Sequence, residues 1–346
     1  MNPDDRPGVA PGTSDLVGQS RVVVRLWAAL ASGRVHHCYL FEGPRGVGKA
    51  TVALRLAMAA NCEQWGVLPP ADLPCATCPT CRKIAEGHHP DVLEIGPDPS
   101  KASDVITVDQ VREVTRQLSL HRHSARRRFV LVDPADRVRS EAAHALLKTL
   151  EEPPEGTGFI LITSKAPSLL PTVRSRSQRV RFRAVPEEEL RTWLARRGVT
   201  DAERLARLSL GSPGVALQIA GGRADEWDQM RAALLEALGG GVGVLVSWVE
   251  KTVAPPKEAA DRRVEVLLAV LAGMLRDAAC HGAGRPKRAT DPDPDGVAAA
   301  WGRRLWPGGI RRLDDALTQA RERLDLHVSN RLVLEALLAT LAAELE

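Results

Sequence analysis

The first half of the chain alternates short apolar runs with amphipathic segments. Two of these segments, 107–120 and 139–152, space their apolar residues three and four apart, which predicts helices. Five apolar runs between such segments have the length of buried strands: HHCYLFEG (36–43), DVLEIG (91–96), RFVLVD (128–133), GFILIT (158–163) and QRVRF (178–182). Strands that alternate with helices predict an α/β fold, a parallel sheet with helices on both faces.

The pattern changes after Pro186, where the strands end and helical periodicity continues to the end of the chain. The longer helical segments are 226–238, 257–279, 309–324 and 329–345. Residues 281–296, HGAGRPKRATDPDPDG, are rich in Pro, Gly and charge and predict a flexible linker. We therefore expect an α/β domain (1–184), a small helical domain (185–223) and a larger all-α domain (224–346).

Composition and charge narrow the function only a little. The 346 residues carry a net charge of +4 with a pI near 8.8, which permits contact with nucleic acid without the clustered basicity of a dedicated DNA-binding domain. The run Arg126–Arg128 fits a nucleic-acid contact or a solvated face. Because no apolar run reaches about 18 residues and residues 1–15 are unlike a signal peptide, we expect a cytoplasmic protein without a membrane partner.

Four of the six cysteines lie within twenty residues. Cys75, Cys78 and Cys81 follow one another at CxxC spacing, and Cys62 stands upstream, in a module spanning 62–86. In a reducing compartment this spacing predicts a closed, structural zinc site with four thiolate ligands. An iron–sulfur cluster and unligated cysteines are the alternatives. Cys38 and Cys280 are predicted to be lone thiols.

The stretch GPRGVGKAT (43–51) lies between a predicted strand and a predicted helix, as a phosphate-binding loop does. Gly43, Gly46 and Gly48 let the backbone approach phosphate, and Lys49 reaches the outer phosphates. Alanine follows the lysine, where a Ser or Thr hydroxyl usually holds Mg²⁺. Thr51 is one residue further on, rotated about 100° around the helix, and is therefore poorly aimed at the metal.

A second part of a nucleotide site is the strand RFVLV followed by Asp133. An acidic residue at the end of such a strand is typical of the carboxylate that holds Mg²⁺. The alternative is an Asp that merely ends a strand. Pro134 follows, where active ATPases of this kind carry a glutamate, and a proline cannot act as a general base. Nucleotide binding, as ATP or ADP, is therefore expected to be separable from hydrolysis.

Residues 144–182, HALLKTLEEPPEGTGFILITSKAPSLLPTVRSRSQRVRF, resemble the clamp-loader branch of the AAA+ ATPases. ALLKTLEEPP is especially similar to subunits of the bacterial DNA polymerase III clamp loader. The resemblance covers residues 15 to about 220. It implies a RecA-like AAA+ core followed by a helical lid domain and an all-α collar domain that holds subunits together.

In that family a five-subunit ring opens the sliding clamp and places it on primed DNA. The implied partners are therefore the gamma/tau and delta subunits, the sliding clamp and, through the assembled complex, primed DNA. Motor subunits hydrolyse ATP, whereas one subunit acts as a rigid stator. Ala50, Pro134 and Gly214 each replace a catalytic residue of the motors, the last in GSPGVALQIA, which resembles the motif that presents a sensor arginine.

These three losses favour the stator, a component of the DNA polymerase III holoenzyme without ATPase activity of its own. The alternative is the ATP-hydrolysing gamma/tau motor subunit. A zinc-containing P-loop regulator that binds DNA alone would need a helix-turn-helix or a strong basic patch, and the sequence has neither.

Arg176 is the functional residue that the resemblance retains. In the family, the arginine of the Ser-Arg-Cys motif enters the neighbouring subunit's ATP site as an arginine finger. This chain keeps Ser175 and Arg176 and has Ser177 in place of the cysteine. The alternative is a surface arginine at a strand edge. The family also implies a nucleotide-pocket role for DLVGQ (15–19) and a sensor-1 polar residue near Ser164.

Overall fold

The computed structural model describes residues 15–98, 105–120, 123–221, 224–291, 293–325 and 328–345. The first fourteen residues, on which the expectation about a signal peptide rested, lie outside the described residues. The described residues divide into two compact units: residues 15–193 with Gly211–Gly214, and Leu194–Leu210 with residues 215–345. The division into three domains stays a prediction.

The first unit is built on a five-stranded parallel sheet, and all five predicted strands are present. The strands are β1 (Cys38–Glu42), β2 (Val92–Ile95), β3 (Arg128–Val132), β4 (Thr157–Thr163) and β5 (Gln178–Arg181). Their order across the sheet is β2-β3-β4-β1-β5. The α/β core with helices on both faces is thereby confirmed, and β5, which carries exposed side chains, lies at one edge.

Fifteen α-helices occur among the described residues. They are α1 (Ser20–Ala31), α2 (Lys49–Asn61), α3 (Pro79–Ala85), α4 (Val108–Ser119), α5 (Ser140–Glu151), α6 (Pro171–Ser175), α7 (Glu187–Arg196), α8 (Ala202–Leu208), α9 (Pro213–Ala220), α10 (Ala224–Gly239), α11 (Val242–Val253), α12 (Lys257–Gly282), α13 (Val297–Leu305), α14 (Gly308–Asp325) and α15 (Asn330–Leu345). In none of them are length and apolar character sufficient to cross a lipid bilayer.

Alternating side chains of the strands supply two separate cores, one on each face of the sheet. On one face, Phe41 and Phe129 pack with apolar residues of α1, α2 and the cysteine-containing module. On the other face, Leu40 and Val130 pack with α4 and α5. Because both faces are covered, the central strands read as continuous apolar runs in the sequence.

A buried ion pair organises the sheet edge where β2 and β3 begin. The Asp91 carboxylate, 1% exposed, accepts backbone N–H groups from residues 123–125 at 2.9–3.2 Å and the Arg128 Nε at 3.2 Å. The other Arg128 nitrogens donate to the carbonyls of Leu118 and Leu120, each at 2.7 Å. This cluster therefore fastens the end of α4 and the connection into β3 to the start of β2.

The three arginines of the run differ in exposure: Arg126 is exposed, Arg127 is half-buried and Arg128 is buried, and contact with nucleic acid stays a prediction. Arg128 is 5% exposed, so it is not part of a solvated face. Arg127 donates to the Val35 carbonyl at 3.1 Å, and Arg126 donates to the Cys62 carbonyl at 3.0 Å. Each of the three guanidinium groups thus hydrogen bonds with the chain's own backbone, and the run joins separate segments of the first unit.

The second unit is all-α, with α12 packed against α10, α11, α13 and α14. The predicted linker 281–296 is folded here against α12. The buried Asp277 carboxylate accepts the backbone N–H of Thr290 at 2.8 Å and that of Asp291 at 3.3 Å. Ala289 is fully buried, and its carbonyl accepts Arg207 at 3.2 Å. The flexible-linker prediction was wrong for the described part of this segment.

We predict that Asp91→Asn destabilises the first unit by about 3–5 kcal/mol, because it leaves the buried Arg128 cation without its carboxylate. Thermal and urea unfolding followed by circular dichroism would measure the loss. The matched control is Asp109→Asn, whose side chain is 87% exposed and pairs with Arg112 at the surface. An equal effect of the two substitutions would contradict the role assigned to the buried pair.

The same group predicts an acid-sensitive contribution to stability. Burial alone would raise the pKa of Asp91, but its N–H donors and Arg128 lower it to about 2, from an ordinary value of 3.8. A lowered pKa contributes stability above about pH 4, and this contribution is lost as the pH falls towards 2. The difference in unfolding free energy between wild type and Asp91→Asn should therefore shrink by about 2 kcal/mol over that range. A difference independent of pH would contradict this.

Candidate nucleotide site and metal centre

The glycine-rich loop lies between the end of β1 and the start of α2, as the sequence predicted. Gly43 has φ +148°, and a Cβ there would lie 2.3 Å from the Phe182 carbonyl oxygen. Gly48 precedes α2 with φ +98°, in the left-handed region. Side chains are excluded at both positions by contact or by backbone conformation, so the loop keeps the shape of a phosphate-binding loop at a helix N-terminus.

Lys49 is buried in this loop, with 7% of its surface exposed. Its Nζ donates to the carbonyls of Gly43 at 2.7 Å and Pro44 at 2.6 Å. Burial lowers the pKa of Lys49 to about 8, and the carboxylates of Asp133 and Asp136 oppose part of that shift. An ammonium has three N–H donors, so the contacts made within the described residues leave a third for a phosphate oxygen.

Two carboxylates face this lysine from the end of β3. Burial raises the pKa of Asp133, and the nearby Lys49 lowers it in part. Asp136 accepts a short hydrogen bond from the hydroxyl of Thr163, the buried last residue of β4. The Thr163 Oγ1 in turn accepts the backbone N–H of Lys165 at 2.8 Å. Asp136 and Thr163 were missed from sequence, although each stands at or just beyond a strand's carboxyl end.

The positions that motors use for hydrolysis carry other residues here. Ala50, in the first turn of α2, has no hydroxyl, and the half-buried Thr51 is the next residue. Pro134 follows Asp133 in an extended conformation and leads into a single 3₁₀ turn, Ala135–Arg137. A metal ion here would therefore have the Asp133 carboxylate available without the usual hydroxyl ligand beside the lysine.

Gly214, at the position expected for a sensor arginine, packs directly on the loop. Its N–H donates to the Gly46 carbonyl at 2.9 Å, and a Cβ at 214 would lie 3.1 Å from the Cα and O atoms of Gly46. The Ser212 hydroxyl donates to the Arg45 carbonyl at 3.1 Å. Because backbone stands against backbone at Gly214, a side chain there would require the loop backbone to shift by a few tenths of an ångström.

The DLVGQ stretch also reaches the loop. The buried Gln19 Nε2 donates to the carbonyls of Arg183 at 2.7 Å and Val47 at 3.4 Å. Near the position expected for sensor 1, Ser164 is exposed, and the neighbouring Thr163 is the buried polar residue. Their roles towards nucleotide stay predictions.

Arg176 lies directly after α6 and is 38% exposed. Its Nη2 is 2.7 Å from the Glu151 Oε1, and its Nη1 donates to the Thr172 carbonyl at 3.2 Å. Ser177, at the position of the family's cysteine, donates to the Val173 carbonyl at 2.8 Å and lies 3.2 Å from the Cys38 sulfur. Burial raises the pKa of Cys38 to about 11, with Ser177 opposing part of the shift, so this thiol stays protonated at neutral pH.

The two candidate nucleotide-handling groups stand at opposite ends of β1. Ser177 contacts Cys38, the first residue of that strand, whereas the glycine loop follows Glu42, its last residue. Four steps of about 3.3 Å separate these ends by roughly 13 Å. Arg176 therefore lies about a strand's length from its own chain's loop.

The four clustered cysteines come together as predicted. Their sulfur atoms all lie within 4.8 Å of one another, and all four residues are buried. Cys62 follows α2, and Cys78 precedes α3, which contains Cys81. A tetrahedral metal with sulfur ligands at about 2.3 Å needs sulfurs roughly 3.8 Å apart, which this arrangement can meet.

Backbone geometry also suits thiolate ligands. The N–H of Cys78 points at the Cys75 sulfur and that of Cys81 at the Cys78 sulfur, each at 3.4 Å. Burial opposes ionisation of Cys75, but donors on Cys78, Thr77 and Cys62 lower its pKa to about 6, whereas burial raises the pKa of Cys62 and Cys81. The module packs on the sheet's first core, where the Trp27 indole donates to the Leu73 carbonyl at 2.9 Å. The residues therefore fit a buried, closed metal site.

Comparison with known protein sequences shows three similarities. Residues 18–186 match the family described as DNA polymerase III, delta subunit. The DNA polymerase III subunit delta' of Escherichia coli K12 is 33% identical over 303 residues, which cover 87% of this chain and 86% of that one. The gamma/tau subunit of Mycobacterium tuberculosis H37Rv is 38% identical over 185 residues, or 53% of this chain and 30% of its own length.

Among solved structures, a DNA polymerase III gamma-subunit-related protein of Thermotoga maritima is similar to 92% of this chain, with 20% sequence identity and a TM-score of 0.46.

The metal site yields the prediction of one bound metal ion per chain, lost in Cys78→Ser because a hydroxyl is a poor substitute for a thiolate ligand. Elemental analysis of the purified protein would measure the metal content. Cys280→Ser is the matched control, because Cys280 lies on α12, in the other unit. This variant should keep its full metal content. Full metal content in Cys78→Ser would contradict the ligand assignment.

Proposed function

The chain belongs to the family of DNA polymerase III delta' subunits, and from that membership we propose that it is the stator of the clamp loader. In this role it helps to place the sliding clamp on primed DNA during chromosomal replication. It is a component of the DNA polymerase III complex, and its contribution to catalysis is made at a neighbouring subunit.

One observation carries the proposal: a degenerate nucleotide pocket and an accessible Arg176 occupy opposite ends of β1. The roughly 13 Å between them supports action in trans, since a side chain anchored at the strand's start cannot serve the loop at its end. In a neighbour's ATP site, the guanidinium would stabilise charge that develops on the transferred phosphoryl group.

The pocket itself is proposed to bind ATP or ADP without hydrolysing it. Gly43, Gly46, Gly48 and Lys49 supply the phosphate cradle, and Asp133 is the candidate metal ligand. Thr51 is proposed as a nucleotide-binding residue, since it is poorly aimed at a metal. Ala50 and Pro134 replace the usual magnesium-binding hydroxyl and the general base, and Gly214 supplies no sensor arginine. The pocket can therefore still bind phosphate, but it lacks the general base that would activate water for hydrolysis.

For the metal centre we propose zinc, held by Cys62, Cys75, Cys78 and Cys81. Four thiolates close a tetrahedral site and leave no position for substrate, so the ion's role is structural. Residues 62–86 would depend on it for their fold. Elemental analysis distinguishes zinc from the iron of an iron–sulfur cluster, and stoichiometric iron would overturn this assignment.

The proposed partners are the gamma/tau and delta subunits, the sliding clamp and, through the assembled complex, primed DNA. Residues 185–223 are assigned to the lid and residues 224–346 to the collar that holds the ring together. We place the protein in the cytoplasm, where replication of a bacterial chromosome occurs. The gamma/tau similarity covers only 53% of this chain, whereas the delta' similarity covers 87%, which favours the stator over the motor.

Purified chain should show no magnesium-dependent ATP turnover, because the hydroxyl ligand and the general base are replaced. Steady-state phosphate release would measure turnover, and fluorescent-nucleotide titration would measure binding. Lys49→Ala is the control for binding at the loop. Magnesium-dependent turnover that is lost in Lys49→Ala would contradict the stator and favour the gamma/tau motor.

In a complex reconstituted with the motor and delta subunits, Arg176→Ala should slow turnover at the adjacent site by about 10³-fold or more. Since the other sites keep their own arginines, the measured quantity is the part of ATP turnover and clamp loading that depends on this chain. Arg181→Ala is the matched control: it removes an equal charge from β5, where Arg181 is 72% exposed and pairs with Glu42. Unchanged turnover in Arg176→Ala would contradict the finger.

A further inference from the structure

We propose that Glu151 is a positioning residue for Arg176: its carboxylate holds the guanidinium in the orientation in which it meets the neighbour's phosphates. This inference rests on the proposed function, since it assigns a partner to the arginine that acts in trans. It concerns a residue of the EEPP segment that the nucleotide pocket does not use.

The contact geometry fixes both ends of the guanidinium. Glu151 binds Nη2 at 2.7 Å, and the Thr172 carbonyl accepts from Nη1 at 3.2 Å. Because a guanidinium is planar, two anchors on different nitrogens define both its position and its plane. It has five N–H donors, so these two contacts leave others for phosphate oxygens. The pair can therefore persist while Arg176 is engaged.

The location of Glu151 supports a role beyond helix stability. It is the last residue of α5, where the helix dipole disfavours negative charge. An acidic residue there gains nothing from its own helix. It gains from the Arg176 cation, which in turn lies at the helix end that favours positive charge. The Glu151 carboxylate, at the end of α5, is therefore stabilised by the Arg176 cation, which follows α6.

The backbone on which Arg176 stands is already fixed. Ser177 ties this turn to Val173 at 2.8 Å and to the buried Cys38 at 3.2 Å. The remaining freedom is that of the arginine side chain, one of the most rotamer-rich. Restricting it before the neighbour arrives is preorganisation, which lowers the entropic cost of forming the transition state.

The test uses the complex of the full chain with the motor and delta subunits. Glu151→Ala should lower kcat for the ATP turnover that depends on this chain by about two- to fivefold, because a pair this exposed contributes at most about 1 kcal/mol. KM for ATP should stay unchanged, since the interaction lost is one that matters only in the transition state. Glu151→Gln can still accept a hydrogen bond, so its kcat should lie between those of the wild type and Glu151→Ala.

Two controls separate positioning from a structural effect. Glu152→Ala removes the adjacent exposed carboxylate and should leave kcat unchanged. Thermal unfolding of each variant checks the fold, and Glu151→Gln carries the test if Glu151→Ala does not fold. In an Arg176→Ala background, Glu151→Ala should have no further effect on kcat.

The outcomes are distinguishable. An equal loss from Glu151→Ala in both backgrounds, or a rise in kcat, would overturn the positioning role. No effect of Arg176→Ala itself would overturn the proposed arginine finger. A loss with Arg176→Ala and none with Glu151→Ala would leave the finger standing and remove only this inference.

Discussion

The parallel direction of the five strands is the constraint on which the rest of the first unit depends. It places the carboxyl ends of all five strands on the same side of the sheet. The glycine loop after β1, Asp133 after β3 and Thr163 at the end of β4 therefore lie close together. The opposite edge holds the strand starts, with the Asp91–Arg128 pair and the turn that carries Arg176. The glycine loop and Arg176 therefore lie apart by about the length of a strand.

Contacts within the first unit hold the nucleotide pocket together. Lys49 is bound to carbonyls of its own loop, Gln19 reaches the same loop, and Gly214 stands directly on Gly46. The Lys49 contacts lie within the loop, whereas Gln19 and Gly214 join the loop to other parts of the first unit. A rigid loop suits a stator subunit. Such a loop can bind nucleotide, and a stator does not need the loop to change conformation through rounds of ATP hydrolysis.

The local sequence pattern was sufficient to predict the sheet, the glycine loop and the cysteine cluster. The strands are apolar because both faces are buried, and glycine or cysteine spacing carries the chemistry of its site directly. Pattern failed where single tertiary contacts decide. The segment 281–296 has a linker's composition, yet Asp277 holds its backbone in place. The helices α11 and α13 were not singled out, and Asp136 entered the site through Thr163, a contact between residues 27 positions apart.

Replacement of the family's motif cysteine by Ser177 changes what oxidation can do to this turn. A second thiol at 177, facing Cys38 from the present 3.2 Å contact, would offer two sulfurs that oxidants could join covalently. Serine forms no such bond, and the high pKa of Cys38 keeps that thiol unreactive. The contact that anchors the Arg176 turn is therefore a hydrogen bond that cannot be converted into a disulfide.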